Sequence, residues 1–190
     1  GILLGSLAAF LRGWVAEAIM RGCDVLYGFP AVLSAILITS ILGPGVVNSM
    51  MAIGIFNVPI FARLTRVTSL SIWERDYVTS AKAIGRSNTG IIWKHILPNI
   101  LSPLIVQGTV QFAIAILAEA GLSYLGLGTQ PPHASWGRML QEAQTFMGTS
   151  AWLAIFPGCA IALAVLGFNL LGDGLRDMLD PKLARIQRWG

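Results

Sequence analysis

Four stretches of this chain carry apolar residues in runs long enough to cross a bilayer, and this fixes the solvent in which it folds. Crossing roughly 30 Å of hydrocarbon at about 1.5 Å per helical residue takes about 20 residues, with about 17 as a working minimum. Residues 25–42 and 151–171 hold no charge, 47–64 hold only Arg63 at the end, and 101–127 hold only Glu119. With 55% hydrophobic residues, 12% charged ones and a mean hydropathy of +0.70, the chain would expose far too much apolar surface as a water-soluble domain. The expectation is an all-α, polytopic membrane protein with four complete spans. A fifth run, 1–11, is too short to cross, and with no basic region before it reads as part of a span rather than a signal peptide.

The basic residues orient these spans, because lysine and arginine favour the cytoplasmic side of the inner membrane. Arg12 and Arg21 lie between the first and second runs, Arg63, Arg66, Arg75, Lys82, Arg86 and Lys94 around the connection between the third and fourth, and Arg176, Lys182, Arg185 and Arg188 after the last. Arg138 alone falls on the other side. Residues 67–99 and a tail at 176–190 are thus expected in the cytoplasm, residues 1–175 forming one membrane domain. The first run then travels inward, and an upstream span is expected before it. The net charge of +4 follows this topology. It does not form the basic face interleaved with aromatics that nucleic acid would need.

Gly43-Pro44-Gly45-Val46 is a tight, uncharged turn that predicts an antiparallel pair of spans on either side of it. Pro30, Pro59 and Pro157 sit inside runs and read as packing kinks, with hinge roles as the alternative. Cys23 and Cys159 fall at different membrane depths and are expected to stay unbridged.

Several chemistries lack their parts. No lysine follows a glycine, so the phosphate cradle of an ATPase is missing and no ATP hydrolysis is expected in this chain. His95 and His133 are placed on opposite faces, and no metal site is expected. Gly121-Leu122-Ser123-Tyr124-Leu125 begins like a serine-hydrolase elbow without its closing glycine. A proton-coupled secondary transporter would carry several intramembrane ionisable groups, where this chain offers Glu119.

Between Arg66 and Asn99 the chain is too charged for lipid yet keeps apolar residues at helical spacing: Ile72, Trp73, Tyr77, Ala81, Ile84, then Ile91, Ile92, Ile96. Two short helices are predicted, broken between Gly85 and Gly90, with Asp76 favouring the start of the first and Pro98 limiting the second. Ala81 and Gly85 would permit close backbone approach, and Ile84, Ile91 and Trp93 would offer anchors to a partner groove. The alternative is an amphipathic hairpin lying on lipid headgroups.

The segment Tyr77-Val78-Thr79-Ser80-Ala81-Lys82-Ala83-Ile84-Gly85, followed by His95-Ile96-Leu97-Pro98, resembles the coupling loop of ATP-binding-cassette importer permeases. That loop reads Glu-Ala-Ala, three residues, Gly, then nine residues before Ile-x-Leu-Pro. Ala81, Gly85, Leu97 and Pro98 match, while Thr79 and Ser80 replace Glu-Ala and His95 replaces Ile. Phe29-Pro30, Leu122-Ser123-Tyr124-Leu125-Gly126-Leu127-Gly128, Gln130-Pro131-Pro132, Ser135-Trp136-Gly137, and 168–177 with Asp180-Pro181 are similar to the second, C-type permease subunit of the dipeptide, oligopeptide and nickel importers. The resemblance implies the type I importer permease fold in a bacterial inner membrane, here with part of a fifth span. It also implies a related permease as heterodimer partner, two ATPase subunits carrying ATP and Mg, and an extracytoplasmic binding protein. Coupling contacts would fall on Asp76, Thr79, Ser80, Ala81, Ala83, Gly85, Ile92, His95, Leu97 and Pro98. Peptides are the implied cargo, nickel or another small solute being the alternative.

Glu119 is a lone carboxylate in a span, where insertion costs about 2.5 to 3.5 kcal/mol unless the group is paired, protonated or wet. It is expected to bond a neighbouring helix or the outer loop, or else to contact cargo. Asn57, Gln107, Gln111 and Asn169 are candidates for interhelical bonds first and pathway lining second.

Overall fold

The computed structural model describes residues 1–11 and 13–179. Arg12, Asp180, Pro181 and the basic residues of the tail beyond Arg176 lie outside the described residues. Every regular element among the described residues is helical. The order is α1 (Ile2–Phe10), α2 (Trp14–Tyr27), α3 (Ala31–Leu42), α4 (Val46–Trp73), α5 (Asp76–Ala83), α6 (Asn88–Ile91), a π-helical turn (Ile92–Ile96), α7 (Leu97–Tyr124), α8 (Trp136–Ala143), a 3-10 turn (Gln144–Phe146) and α9 (Trp152–Leu179). The all-helical membrane fold expected from the sequence is the fold observed.

Three spans stand as single helices: α4, the continuous stretch Asn88–Tyr124, and α9. The expected span over 25–42 differs. The helix breaks at 28–30, so α2 and α3 make a fourth span only if taken together. Proline explains the break: it removes an N–H and drives the residue before it out of helical geometry, so Pro30 caps the start of α3 rather than kinking a continuous helix. Pro59 and Pro157 do lie within helices and are buried, and Pro103 lies within α7.

The described chain falls into two compact units. One comprises Gly1–Leu26 and Val58–Gly108, with α9 entering it from Gly172. Its core holds Ile72, Val78, Ala81, Ile91, Ile96, Ile100 and Leu104, with Phe10, Phe61 and Leu64 packed against them. Gly5 lets α1 lie against α4, since a Cβ there would stand 2.3 Å from the Ala62 carbonyl oxygen. Arg63 pairs with Asp24 at 2.6 Å, tying α4 to α2.

The other unit comprises Tyr27–Asn57 and Thr109–Leu171. Here Ala35 of α3 and Ala52 of α4 meet with Leu122, small residues allowing the close helix approach favoured within membranes. The tight turn predicted between the two spans is present: Gly43 adopts φ +91°, and the Asn48 amide donates to the Leu42 and Gly43 carbonyls at 3.0 and 2.9 Å. The connection after α7 contains a short helix, α8. Ser135 caps it by accepting the Arg138 N–H at 3.2 Å, and Arg138 pairs with Glu142 one turn on.

Candidate functional site

The coupling segment is a short helix fastened from behind. Eight residues are too few for a stable helix in water, so α5 depends on what it packs against. Val78 is fully buried and Ala81 nearly so, both in the cluster with Ile91 and Ile96. Burying Val78 contributes about 1.5 to 3 kcal/mol, a large share of the nucleation cost that an isolated helix of this length cannot meet. Two edge contacts set its orientation: the Lys82 ammonium stands 4.2 Å over the Trp73 ring, and the Tyr77 and His95 rings lie 5.8 Å apart.

Gly85 ends the helix. At φ +77° it lies in the left-handed region, its N–H donates to the Lys82 carbonyl at 2.9 Å, and the Arg86 N–H reaches back to the Ala81 carbonyl at 3.1 Å. This is a Schellman turn, the geometry for which glycine is favoured. Within the chain itself a Cβ at Gly85 would meet open space, so no neighbouring element of this chain requires a glycine there. Within this chain the glycine serves backbone conformation.

The second predicted helix does not stop at Pro98. Ser87 caps α6 by accepting the Gly90 N–H, and the helix runs through the π-turn into α7. The Leu97 N–H donates to the Ile92 carbonyl, five residues back. A proline ring clashes with the carbonyl four residues earlier, and widening the turn just before it removes that conflict. Pro98 therefore shapes the entrance to the span.

The exposed surface of the segment is mostly polar, with two large apolar side chains left uncovered on it. Ile84 is 81% and Trp93 72% exposed. Ile91, expected beside them as an anchor, is instead wholly buried in the core. Asp76, Thr79, Ser80, Ala83 and Pro98 are exposed, while Ile92, His95 and Leu97 are half-buried. The Ser80 hydroxyl donates to its own helix, at the Asp76 carbonyl, 2.9 Å away.

Glu119 sits in a different setting. Its Oε1 accepts the Ser123 hydroxyl at 2.5 Å and the Thr129 hydroxyl at 2.9 Å, and the Thr129 N–H donates to Ser123 Oγ at 2.8 Å. Ser123 and Thr129 are buried. The carboxylate thus holds the chain as it leaves α7, as expected for a bond to the outer loop. Gly126, at φ +80°, closes α7 with a second Schellman turn, its N–H on Ser123 and the Leu127 N–H on Leu122. Gly137 brings α8 against α7, since a Cβ there would stand 2.2 Å from the Ala120 carbonyl oxygen. The Ser123 that opened like a hydrolase elbow is a link in this corner.

The other polar candidates are scattered. The Asn57 amide donates to the Ile53 carbonyl of its own helix at 2.9 Å, while its Oδ1 is buried without a partner. Gln111 is buried and its Oε1 is likewise unpartnered. Gln107 is half-buried and Asn169 exposed. Among the described residues no group of three or more histidines, cysteines or carboxylates gathers to hold a metal.

A multi-span helical membrane protein with a short helix between two spans, packed on one side and exposed on the other, is what these features define. The chain belongs to the family of binding-protein-dependent transport system inner membrane components, whose model matches residues 1–185. It is 48% identical over 183 residues to a dipeptide transport system permease of Alkalihalophilus pseudofirmus, covering 96% of this chain and 60% of the relative. A glutathione transport system permease of Pectobacterium atrosepticum is 47% identical over 183 residues, covering 96% of this chain and 61% of the relative. One from Escherichia coli is 48% identical over 174 residues, covering 92% and 57%. The chain spans about three-fifths of the length of these relatives.

Proposed function

We propose that this chain is a permease subunit of an ATP-driven, binding-protein-dependent peptide importer, with α5 as the element through which separate ATPase subunits act. The observation that carries this reading is the contrast within the coupling segment: Val78 and Ala81 of α5 are buried in the core, while Ile84 at the end of α5 and Trp93 in the π-helical turn are exposed. Exposed apolar residues on an otherwise polar segment mark a surface that another protein covers. Two relatives named for dipeptide and glutathione transport favour peptides as cargo.

In this mechanism the ATP sites lie on the partner subunits, and this chain contributes a lever and a lining. Closure of the ATPases pushes on Ile84 and Trp93. Because α5 is packed on Ile72 of α4 and on Ile96 and Ile100 at the head of α7, the push is transmitted to two spans as one body. The pathway, shared with a related permease, then alternates between inward and outward access, receiving peptide from the binding protein when open outward. The basic connection and the tail face the cytoplasm in this arrangement.

The test is ATP hydrolysis by the full-length protein reconstituted with its co-purifying subunits and binding protein, with and without peptides. Binding-protein-stimulated hydrolysis that is lost in Ile84→Asp, with the protein still inserted, is the expected result. An assembly that copurifies no ATPase overturns the reading.

A further inference from the structure

An open cavity of about 1070 Å³ lies behind the coupling segment, walled by α1, α2, the last turns of α4 and residues of the 82–92 segment. Its charged lining is unequal. Arg21, Arg66 and Lys82 face Glu17 and Asp24. Glu17 is paired with Arg21 at 3.4 Å and Asp24 with Arg63 at 2.6 Å, so both carboxylates are already engaged. Arg66 Nε is buried with no hydrogen-bond partner, and an orphaned guanidinium N–H is costly. Lys82 rests on the Trp73 face, a contact that leaves its ammonium free to donate.

Depth adds a second constraint. At 28 residues α4 is about 42 Å long, which exceeds the roughly 30 Å hydrocarbon thickness, so its charged end beyond Ala62 reaches the headgroup layer. Phe10, Met20, Leu70, Trp73 and Ile92 supply an apolar wall beside the cations.

We propose that this cavity binds a phosphate-bearing anion, with Arg66 and Lys82 as its ligands and either an anionic phospholipid headgroup or a free phosphate compound as its source. A guanidinium fork and an ammonium suit phosphate oxygens, and basic pockets between spans on this face hold lipid headgroups in the same way. The proposal rests on the membrane placement above but not on transport. Since α4 and the coupling segment supply different walls, an occupant bridges the lever to its root and favours whichever state keeps the two at this separation.

The experiment uses the full-length protein with its associated subunits in nanodiscs containing phosphatidylglycerol and phosphatidylcholine, followed by delipidation and native mass spectrometry. Retained phosphatidylglycerol is expected to exceed phosphatidylcholine and to fall about tenfold in the Arg66→Gln, Lys82→Gln double variant. Arg75→Gln with Arg86→Gln, exposed basic residues of the same segment that do not line the cavity, is expected to retain it. If lipid shows no preference but glycerol 1-phosphate raises the Tm of the parent and not of the double variant, the occupant is the soluble anion. No difference between parent and double variant in either arm, or equal loss in the control pair, overturns the site. Lys82→Gln alone, on an exposed side chain, and the charge-keeping Arg66→Lys provide the same comparison where the double variant does not fold. Copurification of ATPase is scored separately, so failure of the anion site and failure of the transport reading are distinguishable.

Discussion

The two glycine-closed helix ends of this molecule use the same backbone device for opposite purposes. At Gly85 and at Gly126 a left-handed glycine turns the chain, and two N–H groups reach back to the last carbonyls of the helix. Around Gly126 the polar side chains look inward: Ser123 and Thr129 converge on Glu119, and Gly137 seals the corner against Ala120. Around Gly85 the side chains look outward, and Ile84 and Trp93 have nothing over them. A corner that satisfies its own groups is built for stability. A segment anchored behind and bare in front is built to be touched.

Six substitutions at four positions sharpen that contrast, ranked by position according to their effect on the folded protein. Gly137→Val has the largest, because even a methyl group there overlaps the Ala120 backbone. Overpacking of this kind costs about 1 to 3 kcal/mol or more, to be read as a lower Tm in detergent. Glu119→Ala leaves two hydroxyls without their acceptor and is expected to destabilise by about 1 to 3 kcal/mol in the same measurement. Glu119→Gln keeps a carbonyl oxygen for both donors and should be milder; a Gln variant as unstable as Ala would show that the charge itself holds the corner. Gly85→Ala forces a left-handed alanine into open space, at about 1 kcal/mol, and Gly85→Asn should cost less. Ile84→Asp is expected to change stability by less than about 0.5 kcal/mol while abolishing stimulated ATP hydrolysis. If Ile84→Asp unfolds the protein, the outer surface of α5 is core and the contrast fails.

Much of the fold was legible from hydropathy, because the period and length of apolar runs respond to solvent alone. The turn at Gly43 and the break near Gly85 followed from glycine's conformational freedom. The division of residues 25–42 into two helices was signalled by Pro30, but a kink and a break look alike until neighbouring contacts decide between them. The helical spacing of Tyr77, Ala81 and Ile84 does not single out Val78 as core. In the folded segment Val78 and Ala81, three apart, take the buried side and Ile84 turns away. The helix α8 was hidden in a short polar stretch whose signals were the Ser135 cap and the Arg138–Glu142 pair.

By itself the sequence determined that this is a helical membrane protein, where its charged connection lies, and which family's motifs it carries, since all three depend on local composition and spacing. Tertiary structure alone decided that Glu119 braces a corner, that Ile91 is core while Ile84 and Trp93 are surface, and that Arg66 and Lys82 line one cavity. Those outcomes depend on which distant groups meet at hydrogen-bond and van der Waals range. That is set by packing several helices at once, which no one-dimensional pattern encodes.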